Sequence, residues 1–158
     1  MCWYGKLSSK QVAKKDIHCK KVIAYNPKEK YYYPYYVNCG KIKRYEIGNT
    51  YTSNLEIKNI KISQADSLQH CNIEDGLHCY SWDVTVEANK VDKSLFAVIC
   101  KEGVTYYWYD KLLLRYPVLV DCTIPKGATY YENYYGEIVT DTLKLVKVIE
   151  PTKVPFKI

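Results

Sequence analysis

The sequence predicts an α+β fold: a single domain, predominantly antiparallel β-sheet, with one or two short helices. Three observations lead there. Runs of β-branched and aromatic residues recur at 95–101, 104–109 and 117–124, the composition that suits a pleated, half-buried surface. Turn signals punctuate the chain, among them Asn26-Pro27 and Pro125-Lys126-Gly127. A chain of 158 residues can bury one core without disulfide or metal staples. With 25% charged and 47% apolar residues it is neither disordered nor fibrous.

Taken in order, Ser8 to Lys15 reads as a short helical turn with a serine cap. Strands are expected at 20–25 and 41–47, flanking the Tyr31-Tyr32-Tyr33-Pro34-Tyr35-Tyr36 segment. Asn26-Pro27 turns the chain between them, and Pro34 confines its neighbours to an edge or a loop. Leu55 to Ile62 mixes apolar and charged residues like a half-buried strand. The true helix is expected at Asp83 to Asp92, from its acidic start. In the Pro125-Lys126-Gly127 turn the glycine takes a positive φ. Residues 128–131 and 137–149 complete the sheet. The domain spans 1–150, and 151–158 form a C-terminal tail.

Tyrosine is the anomaly of the composition, with 18 Tyr against 2 Phe. A tyrosine is a large apolar body whose polar tip needs a partner or water. Many such rings suit a wet-edged sheet or a lined binding surface. Charge is also uneven: residues 1–62 carry 13 Lys/Arg and 4 Asp/Glu, whereas 63–158 carry 10 and 13. A basic first third steers anions towards it. Arg44 and Arg115 are the only arginines, and no helix-turn-helix, zinc-finger or RNP-type pattern is present, so duplex nucleic acid is not an expected partner.

The residues after Met1 contain no apolar targeting stretch, and no uncharged apolar run approaches a membrane span of roughly 18 residues. The expected location is therefore cytoplasmic, with no membrane partner. Seven cysteines without a C-x-x-C pair read as reduced thiols, with Cys100 and Cys122 as core positions. All three histidines precede a cysteine (His18, His70 and His78). Adjacent residues on a strand face opposite ways, so these pairs imply neither a metal site nor a nucleophilic Cys-His pair. No cofactor is expected.

Several segments carry a family resemblance: Met1-Cys2-Trp3-Tyr4-Gly5-Lys6, Ala13 to Ile17, Tyr45 to Tyr51, Gly76-Leu77-His78-Cys79-Tyr80, Ile124 to Tyr131 and Gly136 to Asp141. Together they resemble small uncharacterised accessory proteins of phages and mobile elements of gut anaerobes. That resemblance implies an accessory protein working in a host cytoplasm. A more distant similarity is to ADP-ribosyltransferase-like folds. It implies that His78 holds a dinucleotide and Glu137 orients its nicotinamide ribose. The Gly-Thr/Ser after the histidine and the Ser-Thr-Ser before the glutamate are missing from this chain.

These readings favour a non-catalytic protein that sequesters a small nucleotide-like anion, such as a host immune signal. Arg44 is the expected phosphate contact, and His78, Tyr80, Tyr35, Tyr45 and Glu137 line the site. No catalytic group is required. One alternative is a transferase acting on NAD through His78 and Glu137. The other is an interaction or virion protein whose tyrosines, at 31–36, 106–109 and 130–135, dock a host protein or a second copy of the chain.

Overall fold

The computed structural model describes residues 2–4, 8–36, 42–60, 70–81, 85–88, 95–100, 103–110, 112–133 and 136–150. Among them the chain is all-β, which corrects the α+β expectation. The strands are β1 (Cys2–Tyr4), β2 (Gln11–Val12), β3 (Ile17–Asn26), β4 (Tyr31–Tyr33), β5 (Thr50–Thr52), β6 (Glu56–Ile60), β7 (His70–Asp75) and β8 (Leu77–Ser81). They continue with β9 (Thr85–Ala88), β10 (Leu95–Cys100), β11 (Gly103–Trp108), β12 (Tyr116–Ile124), β13 (Thr129–Glu132), β14 (Glu137–Thr140) and β15 (Thr142–Glu150).

Both expected helices yield to strand pairing. Within 83–92, residues 85–88 are strand β9, in which Thr85 and Val86 lie opposite Ile99 and Val98 of β10. The rest of that stretch is outside the described residues. Pairing with β10 prevails over an acidic start with no apolar stripe behind it. At the other site, the Ser8 hydroxyl caps no helix. Ser8 N–H donates to the Glu132 carbonyl at 2.7 Å, and Ser8 Oγ accepts from Glu132 N–H at 3.0 Å. Gln11 and Val12 then pair with Tyr130 and Thr129.

The remaining strands fall near their expected places, with informative departures. The 20–25 strand extends to Ile17–Asn26. Of the 41–47 segment, residue 41 lies outside the described residues, and among 42–47 only Tyr45 pairs, opposite Tyr32, before a turn at Ile47-Gly48. Leu55 takes a φ of 53°, so the half-buried strand begins at Glu56. The long strand 137–149 is broken at Asp141 into β14 and β15. Gly127 has the expected positive φ, 92°. The 151–158 tail lies outside the described residues.

Three long antiparallel stretches organise the sheet. Residues 11–26 run against 116–130 in one register, from Tyr25 opposite Tyr116 to Ile17 opposite Ile124 and on to Val12 opposite Thr129. Residues 137–150 run along the far side of the second stretch, with β14 against β13 and β15 against β12. Strand β8 then bridges the outer two, pairing with β3 on one edge and β14 on the other. The ladder β14–β8–β3–β12–β15 therefore returns to the strand it began on, because Asp141 alone separates β14 from β15. The sheet closes into a small barrel. Two register shifts between β12 and β15 sharpen the coil of the closing strand.

The barrel interior is apolar. Ile23, Ile124, Leu143, Leu145 and Val120 are among its fully buried side chains. A second core forms outside, where Val98, Tyr107 and Tyr109 pack over Val22, Ala24 and Leu119. The first half of β12 is thus buried on both faces, while its second half alternates buried and half-buried residues. The covering elements belong to the three-stranded sheet β11–β10–β9.

A further three-stranded sheet, β1–β7–β6, joins the barrel through Gly76, which sits between β7 and β8. A Cβ on Gly76 would stand 2.5 Å from Val139 Cγ2, a fully buried β-branched side chain with little freedom to move. Gly76→Ala is expected to lower unfolding stability by about 1–3 kcal/mol. Urea denaturation reads this as a lower midpoint, and an unchanged midpoint would show that β14 can yield at Val139.

Candidate functional site

The structure separates the six expected site residues into three places. Tyr35, Tyr80, His78 and Glu137 belong to the outer face of the barrel. Arg44 lies on the surface beside the β3–β4 hairpin, and Tyr45 belongs to the interior.

On the outer face, β11 lowers Tyr107 between β8 and the segment after β4. The Tyr80 and Tyr107 hydroxyls meet at 2.6 Å, with both rings buried. The Tyr35 ring meets Tyr107 edge-on at 4.9 Å. Its hydroxyl replaces a missing neighbour strand: it accepts from Trp108 N–H at 2.6 Å and donates to the Trp108 carbonyl at 2.8 Å. Arg115 covers the other side of Tyr35, with its guanidinium carbon 4.7 Å from the ring centroid and 3.9 Å separating it from the Asp110 carboxylate. Burial pushes the Tyr35 and Tyr107 phenols upwards, Tyr107 the further because Tyr80 adds to it. These rings stay neutral donors, fixed in a packed layer.

Cross-strand register aligns Tyr80 with the acid of the same face. Glu137 lies opposite Tyr80, Tyr80 opposite Lys20, and Asp121 between Lys20 and Lys147. With Tyr80 as its neutral member, the row alternates in charge over Lys20, Asp121 and Lys147, which suits cross-strand pairing. Burial raises the Glu137 carboxyl above its ordinary value. His78, two residues before Tyr80, pairs with Val139. Burial, and then the nearby Lys21 ammonium, push its imidazole down to about 3. Lys21 also donates to the His78 carbonyl, beside the stretch of the β3 edge that neither β8 nor β4 covers. A half-buried neutral imidazole under a lysine is a poor holder of phosphate.

At the basic end, Arg44 lies over the Tyr31 ring, with its guanidinium carbon 4.0 Å from the centroid, and its side chain is 65% exposed. Glu29 stands 4.0 Å away, equally open to solvent. Lys28, Lys30 and Lys43 are exposed around it. The Asn26 side-chain oxygen holds this turn, accepting from Lys28 N–H and Glu29 N–H at 3.0 Å each, and Lys30 closes it with a φ of 56°. Tyr31 stands 5.5 Å from Tyr33, whose hydroxyl donates to the Leu114 carbonyl at 3.3 Å. Tyr45, by contrast, faces inward, edge-on to Tyr51 at 5.0 Å.

Three of the thiols are described, and they are packing groups. Cys19, Cys79 and Cys122 are buried and free, and Cys19 lies directly opposite Cys122. Hydrogen bonds with Cys122 and Cys79, and then burial, hold the Cys19 thiol far above its ordinary range. Cys122 is in the core as expected, whereas the Cys100 side chain lies outside the description. Among the described residues no group of three His, Cys, Asp or Glu is placed to hold a metal ion. Among them, too, no helix is long and apolar enough to cross a membrane.

Sequence reasoning passed over Tyr31, Tyr107 and Arg115 as individual residues. Tyr31 was legible only as part of a tyrosine run, and Arg115 only as one of two arginines. No family model, curated protein or solved structure matches the chain.

Tyr35→Phe strands both Trp108 backbone groups and is expected to cost about 1–3 kcal/mol of stability, measured by chemical denaturation. The His78 imidazole stays neutral in the folded protein down to about pH 3, but in the unfolded chain it takes up its proton near 6.5. Between those values the unfolded chain binds more protons, so stability falls as pH drops from about 6.5 towards 3. Glu137, whose carboxyl is raised, acts in the opposite sense. His78→Gln should therefore flatten the acid limb of a melting-temperature profile, and an unchanged limb would assign the loss to other groups.

Proposed function

We propose that the chain is a non-catalytic binder of a small nucleotide-like anion, held at the exposed basic end rather than among the buried tyrosines. The observation that carries this reading is Arg44, stacked 4.0 Å over Tyr31 with its guanidinium open to solvent. A cation lying on a ring is already oriented, so less freedom is lost when a phosphate arrives. Its present partner, Glu29, forms an exposed ion pair of little worth, and a phosphate can displace it. Lys28, Lys30 and Lys43 add positive potential, and the half-buried rings of Tyr31 and Tyr33 offer faces for a base.

Between His78 and Glu137, by comparison, the Tyr80 and Tyr107 rings already fill the layer. That is why this reading places the ligand at Arg44 and not at the dinucleotide positions implied by the transferase resemblance. A phage-type accessory protein in a host cytoplasm that withdraws a nucleotide signal needs affinity and no reactive group.

Titration calorimetry with linear, cyclic and ADP-ribose-type nucleotides tests it. A ligand from this panel should bind with an affinity that falls as salt rises, and Arg44→Ala should weaken it about 10- to 100-fold, the worth of a charge-assisted hydrogen bond. Absence of binding across the panel, or equal binding by Arg44→Ala, would remove the reading.

A further inference from the structure

The register of β3 against β12 sets two turns side by side at one end of the molecule. Tyr25 lies opposite Tyr116, so the Pro27–Lys30 turn after β3 and the Leu112–Leu114 turn before β12 share that end. The hydrogen bond from Tyr33 to the Leu114 carbonyl ties the two together. The first turn is basic. The second is apolar and projects: Leu112 is 95% exposed and Leu113 65%.

The apolar tip is built to hold its shape. Asp110 and Arg115 exchange both backbone hydrogen bonds, at 2.9 and 2.8 Å, and the Asp110 side chain accepts from Leu113 N–H at 2.9 Å. Leu114 is held at a φ of 52°, a left-handed conformation that a leucine adopts at a cost. Trp108, 52% exposed, precedes the tip by a few residues. Two leucines on a rigid turn, an indole behind them and lysines alongside form an amphipathic end.

From this juxtaposition we propose that the Leu112–Leu113 tip inserts into an anionic lipid surface while Lys28, Lys30, Lys43 and Arg44 engage the headgroups. Charge complementarity favours this occupant: the exposed side chains of the basic turn and its neighbours carry four cations against Glu29 and Glu46, and Glu46 is engaged by Asn49. A bilayer supplies both partners at once, acyl chains for a projecting tip and negative charge for the ring of lysines. The proposal goes beyond nucleotide binding and does not depend on it.

Vesicle flotation tests it on the full chain, with phosphatidylcholine alone and with equal parts of phosphatidylcholine and phosphatidylserine. The protein should float only with the anionic vesicles, and less as salt rises. Leu112→Ser with Leu113→Ser should reduce the bound fraction about tenfold, while leaving nucleotide affinity unchanged, since the tip carries no ligand contact. Lys28→Glu with Lys30→Glu should also release it. Absence of flotation would overturn the proposal, as would equal flotation of the double serine variant. A concentration-dependent dimer in sedimentation that the serine variant abolishes would overturn it too, by assigning the tip to a second copy of the chain.

Discussion

The corner at Thr140-Asp141 is the constraint on which the barrel depends. One strand must leave β8 and β13 and join β12 and β5 within a single residue, and such a break would ordinarily orphan backbone groups in the core. Here every exposed partner is met. The Asp141 N–H donates to the Thr129 carbonyl at 3.0 Å, and its carboxylate accepts from Thr129 N–H at 3.1 Å and from the Thr142 hydroxyl at 3.0 Å. Ser53 N–H reaches the Asp141 carbonyl at 2.8 Å. The Thr140 hydroxyl, fully buried, reaches the Thr129 carbonyl at 2.9 Å. A buried polar group without partners costs more than a hydrogen bond gains, so the corner is stable only because these side chains are present together.

From that closure follows the division of the tyrosines. Closing the barrel gives β3 and β12 an inner and an outer face, and the sheet β9–β11 covers part of the outer one. The rings in that second core are tyrosines because their hydroxyls serve positions where no strand is available. Tyr35 satisfies the Trp108 backbone and Tyr80 and Tyr107 satisfy each other, while against the inner core Tyr51 does the same service, accepting from Glu46 N–H at 2.6 Å. A phenylalanine would fill the same space and leave backbone groups unpaired. At Tyr35 and Tyr51 the choice of Tyr over Phe thus serves irregular backbone and not a wet surface.

Legibility in the sequence followed the range of the interactions. The runs at 95–101, 104–109 and 117–124 and the glycine turn at 127 were readable because side-chain type and local φ decide them. The supposed helix at 83–92 was misread because its fate lies with Val98 and Ile99, residues that periodicity within the segment does not reveal. The break at Asp141 was invisible for the same reason, since it is fixed by Thr129 and Ser53 from other strands. Of the expected site residues, Arg44 was legible as a surface cation because charge alone keeps it in water. The burial of Tyr35, Tyr45 and Tyr80 depended on which face the closed sheet turned inward or covered, and an amphipathic ring gives no sign of that.

The same logic explains why the open chemistry collects at one end. Strands held in one register deliver their turns to the barrel's ends, and a turn that packs against nothing keeps whatever residues it has. At the end where β3 stops and β12 starts, those residues are lysines in one turn and leucines in the next. Lysines in a surface turn need no further cause. Leu112 does, because exposing a whole leucine forgoes the burial that most other large apolar side chains here obtain. It is also mounted on a turn that strains Leu114 to keep its form. A fold that seats Tyr35 so as to pair both backbone groups of Trp108 leaves this apolar tip facing water. The strain at Leu114 and the exposure of Leu112 together set that end apart from the packed remainder of the described residues.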